Sequence, residues 1–304
     1  MPKSEPCLVV FARAPVAGQV KTRLFSSSAP AGSAPGGALT AEQAAAVHAA
    51  FVADVCCNGA RSGIARRRLY VAGDLAHPQL LSAAGEHGYT LHAQAGADLG
   101  ARMAAAIAAE LAAGASAVLL IGTDSPTLPL SYLQQAAAWL HDSADVVLGP
   151  ATDGGYYLIG ARRPIPELFA AGVSWGTAQV LPTTLQRLRQ LAQAGARVAL
   201  LPFFYDVDTP QDLWLLACHL RLAAATAQEG AGDRETAQAG QAAPGRAELA
   251  GLAGPPPGLL TPADSAARST LTALHAPATW AALAALGYLE PDPVPAPVLP
   301  KRAT

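Results

Sequence analysis

Two sets of residues are spaced for work on a charged ligand. Arg13, Lys21 and Arg23 put three cations within eleven residues, in the run Ala12-Arg13-Ala14-Pro15-Val16-Ala17-Gly18-Gln19-Val20-Lys21-Thr22-Arg23-Leu24. Three cations on one turn suit a di- or triphosphate and the charge that builds on a phosphate leaving group. Gly18 allows backbone to approach a ligand closely, Pro15 stiffens the turn and Thr22 adds a hydroxyl donor. The G-x-x-x-x-G-K-[ST] spacing of a P-loop is absent. By itself the segment also fits a basic surface loop held by salt bridges.

The second set is acidic. Asp124 lies in Gly122-Thr123-Asp124-Ser125-Pro126, directly after an apolar run. Its carboxylate suits a hard cation, Mg²⁺ or Mn²⁺, that shares its shell with substrate phosphates. An Asx-turn before Pro126 is the structural alternative. Tyr205-Asp206-Val207-Asp208-Thr209-Pro210-Gln211-Asp212 carries three more carboxylates. Asp206 and Asp208 alternate on an extended stretch and so share a side. Thr209, Pro210 and Asp212 have the pattern of a helix start, which makes Asp212 structural. Asp208 is expected to pair with Asp124 on the metal, with Asp206 the weaker candidate.

Asp153-Gly154-Gly155-Tyr156-Tyr157 offers a carboxylate that could bind a hydroxyl or act as base, and a tyrosine, Tyr156, that could stack or hydrogen-bond. The same residues signal a hairpin turn leading into a strand, and both readings can hold. Asp98 suits a helix N-cap, with Arg102 one turn further on and within reach of a phosphate or carboxylate. Trp175, among the small residues of Ser174-Trp175-Gly176-Thr177, could wall an acceptor or simply pack. None of the seven histidines makes a zinc or serine-hydrolase motif.

Positioning such residues needs buried strands that end at one edge. Leu8–Phe11 and Ala117–Gly122 are continuous apolar runs, as in parallel strands covered on both faces. Arg68–Ala72, Asp145–Gly149 and Val198–Leu201 are further strand candidates, with helices expected over Thr40–Asn58, Leu99–Ala113, Pro129–Leu140 and Pro182–Ala194. Thr40 and Gln43 form a capping box. The alternation predicts an α/β fold with a mostly parallel central sheet flanked by helices, Rossmann-like, whose ligand edge is the strands' carboxyl ends.

With 51% hydrophobic and 14% charged residues, the chain can build a sizeable core. A net charge of −2 gives no support for a nucleic-acid or anionic-membrane partner. Cys7, Cys56, Cys57 and Cys218 form no C-x-x-C pair, and no apolar run is long enough for a signal sequence or membrane span. A soluble, cytoplasmic protein is expected. Composition divides the chain into a domain over 4–222, an Ala/Gly/Pro-rich linker over 223–262, and a short helical segment with a disordered tail over 263–304. Within the last part Pro277 is expected to interrupt the helix, and 26–37 reads as a flexible loop.

Six segments occur in order: FARAPVAGQVKTRL, ADLGARM, LLIGTDSPTLP, VVLGPATDGGYYLIG, SWGT and YDVDTPQDL. Together they resemble a family of small glycosyltransferase-like proteins with the nucleotide-diphospho-sugar transferase (GT-A type) fold, some associated with arsenosugar biosynthesis. A more distant resemblance is to guanylyltransferases of the molybdenum-cofactor and phospholactate type. The likeness covers about residues 6–220. It implies that Lys21 and Arg23 contact nucleotide phosphates, that Asp124 and Asp208 hold the metal, and that Asp153, Gly154 and Gly155 line the acceptor side. Three functions follow as alternatives. One is glycosyl transfer from a nucleotide-activated donor to a small-molecule acceptor, and another is nucleotidylyl transfer with release of pyrophosphate. The third is a nucleotide-binding accessory module without turnover.

Overall fold

The structure is a computed structural model that describes residues 5–25, 39–239 and 276–289. The loop at 26–37, the linker residues 240–262 and the tail residues 263–275 and 290–304 lie outside the described residues. The strands are β1 (Cys7–Arg13), β2 (Arg66–Ala72), β3 (Thr90–Ala93), β4 (Val118–Ile121), β5 (Val146–Pro150), β6 (Tyr156–Ala161) and β7 (Val198–Leu200). They form one sheet in the order β3-β2-β1-β4-β6-β5-β7. Only β6 runs against the rest, antiparallel to both β4 and β5. The mostly parallel α/β sheet expected from the sequence is therefore present.

The helices are α1 (Ala41–Arg61), α2 (Pro78–His87), α3 (Leu99–Ala112), α4 (Leu130–Asp142), α5 (Pro166–Phe169), α6 (Val180–Gln193), α7 (Pro210–Ala239) and α8 (Pro277–Ala285). Alternate residues of the central strands bury opposite faces. Leu8, Val10, Leu119 and Ile121 join Val52, Val55, Leu133 and Leu140 of α1 and α4. Val9, Phe11, Val118 and Leu120 join Met103, Ile107, Leu188 and Leu191 of α3 and α6. Coverage of both faces is why these strands read as unbroken apolar runs. Thr40 caps α1 through a complete capping box with Gln43. The arginines of β2 are anchored from below: buried Glu110 accepts from Arg66 Nη2 at 2.7 Å and from the Tyr70 hydroxyl at 3.0 Å.

A third apolar cluster lies outside the sheet and joins Leu24, Val47 and Phe51 to Leu213, Leu216 and Leu220 of α7 and to Leu283 and Tyr288. Helix α7 continues through Ala239, into the stretch read as a linker. Pro277 opens α8 at its first turn instead of interrupting it, because a proline at that position forfeits no intrahelical hydrogen bond. No described helix is long and apolar enough to cross a membrane.

Candidate functional site

The carboxyl ends of β1, β4 and β5 open on one edge of the sheet. The turn after β1 ends in a short 3-10 helix, Thr22–Leu24, preceded by Lys21 at φ 47°. Among the described residues Lys21 is the one non-glycine with positive φ. A left-handed lysine costs on the order of 1 kcal/mol, so other contacts must hold it there. They come from two loops far along the chain. Lys21 Nζ donates to Asp124 Oδ1 at 2.5 Å, to the Val207 carbonyl at 2.6 Å and to Asp208 Oδ1 at 3.0 Å. Its side chain is 4% exposed and its ammonium sits 5.4 Å from the centre of the Phe51 ring. Arg23 Nη1 reaches Asp208 Oδ2 at 3.5 Å.

The two acidic loops are joined to each other. Val207 N donates to the Asp124 carbonyl at 2.9 Å, and Ser125 Oγ donates to the Tyr205 carbonyl at 3.0 Å. The Tyr205 hydroxyl meets His219 Nδ1 at 2.6 Å and Thr127 Oγ1 at 3.1 Å. Asp212 takes the structural part expected of it: its Oδ2 accepts from Asp208 N at 3.1 Å and Thr209 N at 2.8 Å, fixing Asp208 at the start of α7. The segment Asp124 to Thr127 and the segment Tyr205 to Asp208 thus form one rigid rim, and both are needed to hold Lys21.

Asp153, Asp206 and Asp208 each offer an oxygen within 4.8 Å of the others, which makes them a group able to hold a metal ion. Burial first, then the charges of Asp153 and Asp208, push Asp206 up to about 7. An all-oxygen donor set crowded enough to raise one member's pKa fits a hard divalent cation, which would relieve that repulsion. Burial opposes the charge on Lys21, yet Asp124 and Asp208 outweigh it and hold the ammonium above its ordinary range. Desolvation likewise works against ionised Asp124, and Lys21 reverses it, so the Asp124 pKa lies below the usual carboxylate value.

The cleft measures about 480 Å³. It is lined by Arg13, Lys21, Thr22 and Arg23, by Asp124, Asp153, Asp206 and Asp208, and by Gly155, Tyr156 and Trp175. The sequence-predicted cations and carboxylates therefore meet at a single edge. Gly18, Gly154 and Arg102 are not among the lining residues. Arg102 Nε braces its own turn on the Gly96 carbonyl at 3.2 Å. Gly154 is needed for the turn: its φ is 91°, and a Cβ there would fall 2.6 Å from Ala178 Cα. Asp153 accepts from Gly155 N at 2.7 Å, the turn that leads into β6, so the hairpin and the site coincide. Trp175 is half-buried and packs on Gly100, where an added Cβ would lie 2.4 Å from the indole.

Gln94 and His48 also line the cleft, and the sequence motifs gave neither a role. Gln94 Nε2 donates to the Ala12 and Tyr70 carbonyls at 3.1 and 3.0 Å. Buried His48, on α1, lies 3.1 Å through Nε2 from the Arg13 carbonyl, and burial lowers its pKa. A neutral His48 donates there, fixing the end of β1. Neither residue belongs to a recognisable motif, so only their position in the fold marks them.

Residues 57–177 match the DUF2064 family, described as uncharacterized proteins conserved in bacteria. A crystal structure from Desulfovibrio desulfuricans G20, assigned as a nucleotide-diphospho-sugar transferase, is 34% identical, with a TM-score of 0.59 over 70% of this chain and 87% of that one. The chain belongs to that family. Other solved structures are similar at lower identity. A cytidylyltransferase from Leptospira borgpetersenii is 11% identical over 71% of this chain and 86% of its own, TM-score 0.45. The manganese complex of Rv0371C from Mycobacterium tuberculosis H37Rv is 12% identical over 67% and 92%, TM-score 0.35. Nothing about activity is carried over from identities this low. No curated protein matches the chain.

Proposed function

We propose that the protein is a metal-dependent glycosyltransferase that takes a sugar from a nucleotide-diphospho-sugar donor and passes it to a small-molecule acceptor in the cytoplasm. The observation that carries this reading is the convergence of Lys21, Arg23, Asp124 and Asp208 on one rim of the cleft. The 34% identical relative bears the name of a nucleotide-diphospho-sugar transferase, which supports glycosyl transfer. Four free cysteines agree with a reducing compartment.

In this mechanism the diphosphate lies between the cationic turn and the carboxylate rim. Mg²⁺ or Mn²⁺, held by Asp208 with Asp124 or with Asp206, would supply positive charge to the diphosphate. Arg13, Arg23 and the Thr22 hydroxyl orient the phosphates, and Lys21 neutralises charge on the nucleoside diphosphate as the anomeric C–O bond breaks. The acceptor attacks the anomeric carbon from the side of Gly155, Tyr156 and Trp175. Asp153, exposed on its turn, takes the acceptor's proton.

The test is turnover by the full chain with a panel of nucleotide sugars, with Mg²⁺ and with Mn²⁺, read as released nucleoside diphosphate. Release is expected from at least one donor, with Asp208→Asn lowering the rate about 100-fold. A parallel arm supplies the four nucleoside triphosphates with pyrophosphatase. Phosphate from that arm alone would replace this reading by nucleotidylyl transfer. Thermal stabilisation by nucleotides without turnover in either arm would make the protein a binding module.

A further inference from the structure

We propose that Lys21 is the resident cation of the acidic rim: its ammonium holds the space between Asp124 and Asp208 and keeps a divalent ion out until nucleotide phosphates draw the lysine away. The inference rests on the proposed function only for the idea that cation and phosphates meet in this cleft. The geometry supplies the rest. An ammonium has three N–H donors. Those of Lys21 are all engaged, by Asp124 Oδ1, the Val207 carbonyl and Asp208 Oδ1. With its side chain 4% exposed, Lys21 has no donor left for a phosphate while it stays in this position. Phosphate binding must therefore cost it at least one carboxylate.

The same carboxylate oxygens are what a divalent ion would need. An ion bridging Asp124 and Asp208 would sit within a few ångströms of the ammonium, and two like charges at that range repel strongly even with partial screening. The group formed by Asp153, Asp206 and Asp208 shares Asp208 and so feels the same charge. Free metal is opposed by Lys21 already in place. A nucleotide changes the balance: its phosphates bring at least two negative charges that accept the displaced ammonium and complete the metal's oxygen shell. Metal and nucleotide then favour each other's binding, a coupling that is reciprocal by linkage. The lysine can make the exchange through its side chain alone, since it is a point charge on a flexible four-carbon stem.

This gives an expectation opposite in sign to that for a simple phosphate ligand. Mn²⁺ titration of the nucleotide-free chain, followed by electron paramagnetic resonance, is expected to show binding about tenfold or more tighter in Lys21→Met than in the natural sequence. Adding Asp208→Asn to Lys21→Met is expected to abolish the gain. Equal or weaker binding by Lys21→Met, or a gain that survives Asp208→Asn, would overturn the proposal. A measurement on the unaltered chain is independent of how the variant folds. The sequence has only three lysines, Lys3, Lys21 and Lys301, so reductive methylation with ¹³C-formaldehyde gives resolvable signals. Lys21 is expected to react at least about tenfold more slowly than it does in the urea-unfolded chain, both in the free protein and with Mg²⁺ alone. Fast reaction of Lys21 in the free protein, or unmasking by Mg²⁺ alone, would equally sink it. Neither experiment uses a donor or needs turnover, so failure of the transfer assay and failure here are separately visible.

Discussion

Helix α8 starts without a capping side chain of its own, since Ala276 stands at its N-cap and Pro277 follows. The cap comes from α1: Asp54 Oδ1 accepts from Ala278 N at 3.1 Å and Oδ2 from Thr279 N at 2.6 Å. Asp54 is 1% exposed. Hydrogen bonds to a charged acceptor contribute roughly 1.5–3 kcal/mol each. Burial raises the Asp54 pKa while the Thr279 and Ala278 contacts pull it back, so desolvation offsets part of that gain. Asp54→Ala should then cost about 2 kcal/mol, near the upper end for loss of a helix cap. For a domain of this size that lowers Tm by about 4–8 °C. Asp54→Asn keeps one acceptor and removes the buried charge, so about half that loss is expected. Because the Asp54 pKa is raised in the folded state, the natural protein should gain on Asp54→Asn as the pH falls through that raised value. Calorimetry of the three proteins checks the order. Hydrogen exchange should show the amides of α8 losing protection in Asp54→Ala well before those of β1. A Tm for Asp54→Ala within about 1 °C of the natural value, with α8 still protected, would refute the account of how the tail docks.

Gly100→Ala would drive a Cβ to 2.4 Å from the Trp175 indole, so a loss of about 2 kcal/mol and an altered tryptophan emission spectrum are expected. Unchanged melting and emission would mean that the indole moves aside freely. Burial pushes the Cys7 and Cys56 thiols up to about 12. Ellman's reagent at pH 8 should therefore spare both in the native protein, and peptide mapping after labelling would expose an error. Asp145 is held down to about 2 by hydrogen bonds from the Arg197 side chain and backbone. Its folded pKa lies below the unfolded one, so this stabilisation is present above about pH 4 and is lost as the pH falls toward 2. Asp145→Asn should flatten the acid limb of the stability curve across that window, and superimposable curves would contradict the assignment.

The sequence by itself determined the sheet and most of the cleft's chemistry. Both are encoded locally: strands buried on two faces must be apolar throughout, and loops leaving their carboxyl ends must carry whatever touches ligand. Runs such as Leu8–Phe11 and Ala117–Gly122 announce the strands, and caps such as Thr40 with Gln43 announce helix starts. The four-residue edge strand β3 and the ten-residue helix α2 were too short to stand out. Tertiary structure decided what depends on residues far apart in the chain. Only the fold brings Lys21 103 residues back to Asp124 and 187 to Asp208, making the lysine the counter-ion of both carboxylates. It also places Asp206 beside Asp153, aims the His48 ring and the Gln94 side-chain amide at fixed carbonyls, and gives α8 its cap from Asp54. Charge and burial act through space, and spacing along the chain records neither.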